Sequence, residues 1–279
     1  MSVSVLIMTL DEEVNLPACL ASVAWSDDIV VLDSFSSDRT VDIARAAGAR
    51  VYQHEYVNEL SQRRYGLREI AFKHPWVYIP DADEITPAEL RDEILAIAAD
   101  TNRTEGAFRS RFKVFFMGKW LRYSSLYPTW VVRLVRPDRV DFEQREINCY
   151  WLVNGSEGRL QNHFIHYSFN KGINWWFEKH NRYSLSEARE SLKSLDNERF
   201  RWGDVLAALN PVQRRRILKY LSFRLPCRPF LRFVYMYVLR RGFLDGWPGY
   251  VYCRLLASYE FMIVVKIAEI RRREQGLPI

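Results

Sequence analysis

The sequence predicts an α/β protein in which a mixed sheet is flanked by helices and followed by a helical C-terminal region. Short β-branched runs alternate with amphipathic stretches over the first hundred residues, a pattern typical of a parallel, doubly wound sheet. Strand-like segments then dominate from Gly106 to His166, and residues 201–279 combine basic, aromatic and helix-like character. We therefore expect one domain over residues 1–200, with halves at 1–100 and 101–200, and a separate region over 201–279.

Four strand–helix units account for residues 1–100. The strands are short, uncharged apolar runs, as expected of buried parallel strands, and are predicted at Val3–Thr9, Ile29–Leu32, Val51–Tyr52 and Trp76–Ile79. The helices follow capping residues or carry proline in their first turn. They are predicted at Val14–Val23, after Ser36–Asp38 as far as Gly48, at Glu59–Phe72, and after a capping box formed by Thr86, Pro87 and Glu89.

The second half of the domain is predicted to be richer in strands. The expected strands are Ala107–Phe116, Trp130–Val135, Ile147–Val153 and Arg159–Ile165. Gly155 and Gly158 predict a hairpin turn before the last of them. Residues 171–195 have a helical pattern, and Asn210-Pro211 marks a boundary before the basic tail.

The composition excludes several classes of protein. A hydrophobic share of 48% and a charged share of 27% are typical of a folded chain and exclude wholesale disorder. The four cysteines have no C-x-x-C spacing, which excludes a sequence-evident zinc cluster and favours a reducing compartment. No signal peptide is evident, and no apolar run reaches the roughly 18–20 residues of a spanning helix. We expect an intracellular protein that does not cross the membrane.

The charge is distributed unevenly along the chain. Residues 1–200 hold 25 Lys and Arg against 29 Asp and Glu, whereas residues 201–279 hold 15 against 5. In the tail, arginines such as Arg214 and Arg228 alternate with aromatic residues such as Phe230. This combination suits a helix in the interface of an anionic membrane. An ordinary helical subdomain and a nucleic-acid surface are the alternative interpretations.

Polar residues collect where three predicted strands end, which is where parallel sheets bind ligands. No glycine-rich loop follows the first strand, so a dinucleotide fingerprint and a phosphate-binding P-loop are excluded. Two carboxylates of one turn, Asp81 and Asp83, can share a hard cation that also bridges phosphates. The alternative interpretation is a polar loop with a helix-capping acid. The three segments are Thr9-Leu10-Asp11-Glu12, Asp33-Ser34 and Asp81-Ala82-Asp83.

Four motifs in this order resemble the inverting, family 2 nucleotide-sugar glycosyltransferases with a GT-A fold. They are Thr9-Leu10-Asp11-Glu12-Glu13, the stretch 29–40 around Asp33-Ser34, Ser61-Gln62-Arg63-Arg64-Tyr65-Gly66-Leu67, and Asp81-Ala82-Asp83-Glu84. The later segments Phe116-Met117-Gly118-Lys119-Trp120, Arg133-Leu134-Val135-Arg136 and His166-Tyr167-Ser168 resemble the lipopolysaccharide core β-1,4-glucosyltransferase type. Two positions depart from the family, which has asparagine where this chain has Asp11 and Arg64.

The resemblance implies roles for matching residues. Thr9, Leu10, Asp11 and Glu12 would line the nucleotide, Asp33 would contact the base, and Arg63 would lie near the base or diphosphate. Asp81 and Ala82 would approach the ribose or the sugar. Asp83 would bind Mg²⁺ or Mn²⁺, with Asp81 as a further metal ligand.

An inverting transfer also needs a base that takes the proton of the acceptor hydroxyl. The resemblance makes Glu146 the candidate catalytic base, with Asp141 and Glu143 as rivals, although each has the alternative interpretation of a solvated surface carboxylate. His166 is the expected third metal ligand, or else a structural histidine. His163 is the second choice, although strand alternation places it on the opposite face. Trp120, Tyr123, Tyr127, Trp130 and Trp175-Trp176 form either a sugar-stacking platform or ordinary core.

The expected activity is metal-dependent hexose transfer from a nucleotide sugar, UDP-linked, to a membrane glycolipid acceptor. The acceptor would be lipopolysaccharide core or a polyprenyl-diphosphate-linked saccharide, at the cytoplasmic face of the inner membrane. Residues 1–100 would bind the nucleotide, 101–200 the acceptor, and 201–279 an anionic membrane surface. We expect no nucleic-acid partner. The alternatives are transfer directly to polyprenyl phosphate and a catalytically inactive scaffold that binds nucleotide sugars.

Overall fold

The computed structural model describes residues 2–143, 150–197, 203–204, 217, 225 and 227–279. These residues divide into two units, Met1–Lys171 and Gly172–Ile279. The domain boundary predicted at residue 200 and the Asn210-Pro211 boundary lie outside the described residues, so both stay predictions.

The first unit is built on a mixed sheet, as the sequence predicts. Among the described residues its strand order is β3-β2-β1-β4-β8-β6-β11-β5, with β7 paired to β6. A separate two-stranded sheet joins β9 to β10. The strands are β1 (Ser4–Thr9), β2 (Ile29–Asp33), β3 (Arg50–Gln53), β4 (Val77–Tyr78), β5 (Glu84–Ile85), β6 (Ala107–Phe116), β7 (Lys119–Trp120), β8 (Trp130–Val135), β9 (Val140–Glu143), β10 (Tyr150–Val153) and β11 (Glu157–His166).

Strands β1 to β4 form the predicted parallel half of the sheet. Thr9 lies opposite Asp33, and Val5 lies opposite Tyr78, so these strands end at one edge. Their β-branched side chains are buried on both faces, including Val5, Ile7 and Val31. The burial explains why these strands are apolar runs without polar alternation.

The second half reverses direction at β8, which runs antiparallel to both β4 and β6. Strands β6 and β8 have the predicted bounds, but the hairpin predicted at Gly155 and Gly158 is wrong. Strand β10 pairs with β9, and β11 pairs in parallel with β6. A Cβ at Gly158 would lie 2.2 Å from the Phe108 ring, so this glycine permits close packing of β11 against β6.

Four helices of the first unit follow the predicted strands: α1 (Leu16–Val23), α2 (Thr40–Ala46), α3 (Glu59–Arg68) and α4 (Ala88–Ala99). Asp38 supports the start of α2, because its Oδ1 accepts a hydrogen bond from the Thr40 N–H at 2.9 Å. The capping box predicted for α4 is wrong. Pro87 is the N-cap, and the Thr86 hydroxyl instead lies 3.1 Å from the Tyr78 hydroxyl.

The second unit is helical in its described parts, as predicted for the C-terminal region. Its core packs Ala188 and Leu192 of the first long helix against Ile263 and Ile267 of the last. No helix among the described residues is both long and apolar enough to span a bilayer. The elements are α5 (Gly172–Asn197), α6 (Arg228–Val234), a π-helical turn (Tyr235–Leu239), a 3-10 turn (Gly242–Asp245) and α7 (Gly246–Glu274).

Candidate active site

The parallel strands bring three polar segments to one edge of the sheet. Thr9 and Asp33 end β1 and β2, and the backbone of Met8 forms a parallel bridge with Asp81 just beyond β4. The segments predicted to bind the nucleotide therefore lie side by side. Because strand ends of a parallel sheet leave backbone groups and loops free, this edge is the expected ligand site.

Asp33 organises the base of this edge. It is fully buried and accepts hydrogen bonds from the Thr9 hydroxyl at 3.0 Å and the Ser36 N–H at 2.9 Å. The Ser36 hydroxyl and the Gln53 amide also donate to Asp33, at 2.5 and 3.3 Å. These contacts hold the loop after β2 in place. The predicted contact of Asp33 with a base stays a prediction.

The loops after β1 and β2 are joined by side chains of the second loop. Asp11, whose φ is 53°, accepts from the Ser37 N–H at 2.7 Å, and its own N–H donates to the Ser36 hydroxyl at 2.8 Å. The Glu12 N–H donates to Thr40 Oγ1 at 2.7 Å. The carboxylate of Asp11, at the position where the family has asparagine, therefore serves to connect the two loops.

Two apolar side chains remain on the outside of these joined loops. Leu10, predicted to line the nucleotide, is exposed, and Phe35, which the sequence did not single out, is exposed at a φ of 60°. A left-handed conformation at a bulky residue is uncommon and is often found at functional sites.

Glu12 forms a largely buried ion pair with Lys171. Its Oε1 accepts from Lys171 Nζ at 2.6 Å, and its Oε2 accepts from Asn15 at 2.8 Å. Burial raises the pKa of Glu12, and the hydrogen bonds and charge of these partners oppose the shift. Lys171 also donates to the Leu10 carbonyl at 3.2 Å, so it connects the end of the first unit to the first loop.

Asp81 is held by a buried arginine that the sequence did not identify as a site residue. Arg133 of β8 donates to Asp81 and forms two hydrogen bonds with Glu84, at 2.9 and 2.6 Å. Burial raises the pKa of Glu84 to about 8, although the charge of Arg133 opposes this shift. Ala82 between them is buried in the core. The structure thus directs Asp81 toward Arg133.

Asp83 and His166 meet at the same edge. Asp83 Oδ2 lies 3.2 Å from His166 Nε2, and the Tyr167 N–H donates to the Asp83 carbonyl at 2.9 Å. Pairing of β5 with β11 produces this contact, since His166 lies opposite Glu84. Burial opposes the charged imidazolium, but the charge and hydrogen bond of Asp83, together with the charges of Glu84 and Asp81, outweigh burial and raise the pKa of His166. His163 lies opposite Arg111 on β6.

The donor atoms of this pair suit a divalent cation. Mn²⁺ binds both carboxylate oxygens and imidazole nitrogens, and it also binds oxygen atoms of phosphates and water. Within the described parts of the chain, no three His, Cys, Asp or Glu side chains are grouped to hold a metal. Asp83 and His166 therefore fit a metal that completes its shell with substrate oxygens. Asp81 is bonded to Arg133, and its role as a further metal ligand stays a prediction.

Helix α3 connects the edge to the two-stranded sheet. Gln62 donates to the hydroxyl of Ser34, the residue after β2. Arg63 is buried and bonded to Glu59 at 2.8 Å, with its guanidinium 5.1 Å from the Trp151 ring centroid. Its Nη1 has no hydrogen-bond partner among the described residues.

The next arginines of α3 hold strand β9. Arg64 donates to the Phe142 carbonyl at 3.1 Å and lies 3.7 Å from Asp141, and Arg68 donates to the carbonyls of Pro137 and Val140. Asp141, the rival base, is exposed on this strand. Glu146, the first candidate base, lies outside the described residues.

The proposed aromatic platform has cations on its rings. Lys113 Nζ lies 4.4 Å from the Trp120 centroid, and the Arg111 guanidinium lies 5.9 Å from Tyr127. In the second unit Trp176 is buried and stacked on His180 at 3.7 Å, so it is a core residue as the alternative interpretation states.

Comparison with known proteins supports the resemblance seen in the motifs. Residues 4–179 match the model of Glycosyl transferase family 2. Glycosyltransferases of Rickettsia typhi and Rickettsia prowazekii are each 24% identical, and each alignment covers 99% of this chain and 89% of the relative. A mannosyltransferase of Pyrobaculum calidifontis, solved with GDP-Man and Mn²⁺, aligns with 95% of this chain and 86% of its own at 15% identity and a TM-score of 0.50.

Proposed function

Because this chain belongs to glycosyl transferase family 2, we propose that it moves a hexose from a UDP-sugar to a membrane glycolipid with inversion at the anomeric carbon. The coarser activity, glycosyl transfer from a nucleotide sugar, follows from the family. The metal, the acceptor and the stereochemistry are the proposed parts. The acceptor would be a lipopolysaccharide core or a polyprenyl-diphosphate-linked saccharide.

The pairing of Asp83 with His166 beside the joined loops is the observation that carries this proposal. Asp83 Oδ2 and His166 Nε2 lie 3.2 Å apart, and Asp83 follows Asp81 by two residues in the same loop segment. A divalent cation held there would neutralise negative charge on the departing diphosphate. The mannosyltransferase with a similar fold was solved with the same two classes of ligand.

The other residues of the edge would bind and orient the donor. Thr9 and Asp33 keep the two loops together, and Leu10 with Phe35 provide apolar surface for a base. Arg133 holds Asp81 in one orientation. The carboxylate of Asp81 would therefore accept hydrogen bonds from the sugar or ribose hydroxyls at a fixed position. Arg63 brings a buried guanidinium with an unused N–H group, which suits a phosphate or a base carbonyl.

Transfer requires a hydroxyl oxygen of the acceptor to bond to the anomeric carbon while the bond from that carbon to the diphosphate breaks. The hydroxyl proton passes to a carboxylate, for which Glu146 and Asp141 are the candidates. Arg64 and Arg68 fix β9, which carries Asp141 and leads into the segment with Glu146.

The basic C-terminal region would hold the enzyme at the cytoplasmic face of the inner membrane, where such acceptors are displayed. Its excess of Lys and Arg, 15 against 5 acids, favours an anionic surface. Transfer directly to polyprenyl phosphate would use the same attachment. A comparison of acceptors with and without a saccharide distinguishes the two.

Calorimetric titration with UDP, with and without Mn²⁺, tests the donor site. We expect wild-type protein to bind UDP more tightly with Mn²⁺ and Asp83→Ala to lose that gain. Asp92→Ala is the matched control, because Asp92 is an exposed aspartate of α4 paired with Arg91. Equal affinity with and without Mn²⁺ would refute the metal assignment. Binding of GDP or dTDP in place of UDP would refute the choice of nucleotide.

A further inference from the structure

The segment between α6 and α7 exposes a group of large apolar side chains. We name this group the apolar tip; Leu239 and Trp247 are 70% and 66% exposed within it. All five members lie within ten consecutive residues that end at the first turn of α7. The members are Val238, Leu239, Phe243, Leu244 and Trp247.

The underside of this segment is tightly packed, so these side chains stay outside. A Cβ on Gly242 would lie 2.7 Å from the Met236 carbonyl oxygen, and one on Gly249 would lie 2.5 Å from the Gly242 carbonyl oxygen. Met236 and Cys253 fill the space beneath and are fully buried. Arg241 has a left-handed φ of 61° and lies between the π-helical turn and the 3-10 turn. The tip is therefore a defined projection on a close-packed base.

Aromatic rings continue from the tip toward the helices. Trp247 stacks on Tyr250 at 5.4 Å, Tyr250 meets Tyr237 at 5.7 Å, and Tyr237 stacks on Phe233 at 5.2 Å. Tyrosine and tryptophan combine an apolar ring with a polar group, and for that reason they are enriched where membrane meets water.

The charge around the tip is positive. Residues 227–257 contain five arginines and a single acid, and one of the five, the buried Arg228, is paired with Glu260. The acid of this range, Asp245, is 2% exposed. Arg240 and Arg241 directly follow Leu239 in the chain, and Arg241 is exposed. A lipid surface with anionic headgroups and an apolar interior matches both parts of this arrangement.

We propose that the apolar tip inserts into the interface of an anionic membrane, with Arg240 and Arg241 at the level of the headgroups. Leu239, Leu244 and Trp247 then reach the boundary of the acyl chains. The inference deepens the proposed function, since it rests on an acceptor presented at a membrane. It assigns membrane attachment to the apolar tip of the second unit.

Flotation of the full chain with phosphatidylcholine vesicles, with and without phosphatidylglycerol, tests the proposal. Replacement of both leucines, Leu239→Glu with Leu244→Glu, is expected to lower vesicle affinity about tenfold or more, since two apolar side chains no longer leave water. Arg241→Gln is expected to lower it about fivefold, only with the anionic lipid. Matched controls are Val57→Glu, at a valine also 70% exposed, and Arg45→Gln, at an exposed arginine of α2.

Brominated lipids give a second readout, because bromine quenches tryptophan that reaches the acyl boundary. We expect quenching in wild-type protein and its loss in Trp247→Phe. Unchanged vesicle binding in the double leucine variant, or quenching that persists in Trp247→Phe, would overturn the proposal. A third result would also overturn it: a wild-type dimer in solution that becomes a monomer in the double leucine variant while vesicle binding is kept. A second copy of the chain would then cover the tip. UDP titration of the same variants without vesicles reports separately on the donor site.

Discussion

Replacing Arg133 is the sharpest test of how the sheet holds the candidate site. Its side chain is 7% exposed, and it contacts Asp81 and Glu84. Arg133→Met keeps the length and apolar stem of the side chain but removes the ion-pair partner of Glu84, which is itself 2% exposed. We therefore expect a loss much larger than that of a surface ion pair.

Breaking a buried pair from one side typically costs about 3–5 kcal/mol of unfolding free energy. The matched control is Arg109→Met, whose pair with Glu157 is 27% and 33% exposed; exposed pairs contribute about 0–1 kcal/mol. Removing both buried partners, in Arg133→Met with Glu84→Leu, leaves no uncompensated carboxylate at that position. This double variant is expected to recover part of the loss.

Urea unfolding followed by circular dichroism measures these differences at a pH above 8, where Glu84 is ionised in the folded protein. Hydrogen exchange of β4 and β8 assigns the change to the first unit. The reasoning fails if Arg133→Met costs no more than Arg109→Met. It also fails if the double variant is as unstable as the sum of its two single changes, because the pair would then not be coupled.

Three further predictions concern stability and reactivity. Burial opposes ionisation of Asp28, but hydrogen bonds from Lys73, Ser4 and Arg50 outweigh it and lower its pKa below 3.8. Its stabilisation is therefore present above that pH and lost as the pH falls further, so Asp28→Asn should flatten the acid limb of a plot of urea midpoint against pH; an unchanged limb would contradict this. Gly249→Ala places a Cβ 2.5 Å from a backbone oxygen and should lower the free energy of unfolding by about 1–3 kcal/mol, as measured by thermal unfolding. Gly203→Ala, whose Cβ has no neighbour within 4 Å among the described residues, should leave stability unchanged. Burial raises the pKa of Cys19, so iodoacetamide should label exposed Cys227 well before Cys19 or Cys253, as read by mass spectrometry; early labelling of Cys19 would show that α1 opens.

The parallel half of the sheet was predictable because its strands are buried on both faces, and continuous apolar runs such as Val3–Thr9 record that burial. Strands β5 and β7 escaped prediction because each is two residues long and contains a charged residue, whereas the equally short β4 lies within the apolar run Trp76–Ile79. Gly158 was misread as a turn residue because its contact, the Phe108 ring, is fifty positions away in the sequence.

At the site, the family resemblance alone implied that Asp83 and His166 share one metal, and the structure brings the two side chains together. The sequence did not indicate that Arg133 would form an ion pair with Asp81, because that pair depends on β8 lying next to β4. Nor did it assign Lys171 to Glu12, whose contact spans 159 positions. Charge partners of this kind are set by topology and leave no local signal.

The distances in sequence within this site also bear on how it forms during folding. Asp83 meets His166 across 83 positions, and β11 must pair with both β6 and β5 before they touch. Contacts of such long range form slowly, because the chain between them must lose its freedom first. A nascent chain that ends before β11 contains the loops after β1 and β2 but lacks His166, so the Asp83–His166 contact requires at least the first 166 of the 279 residues.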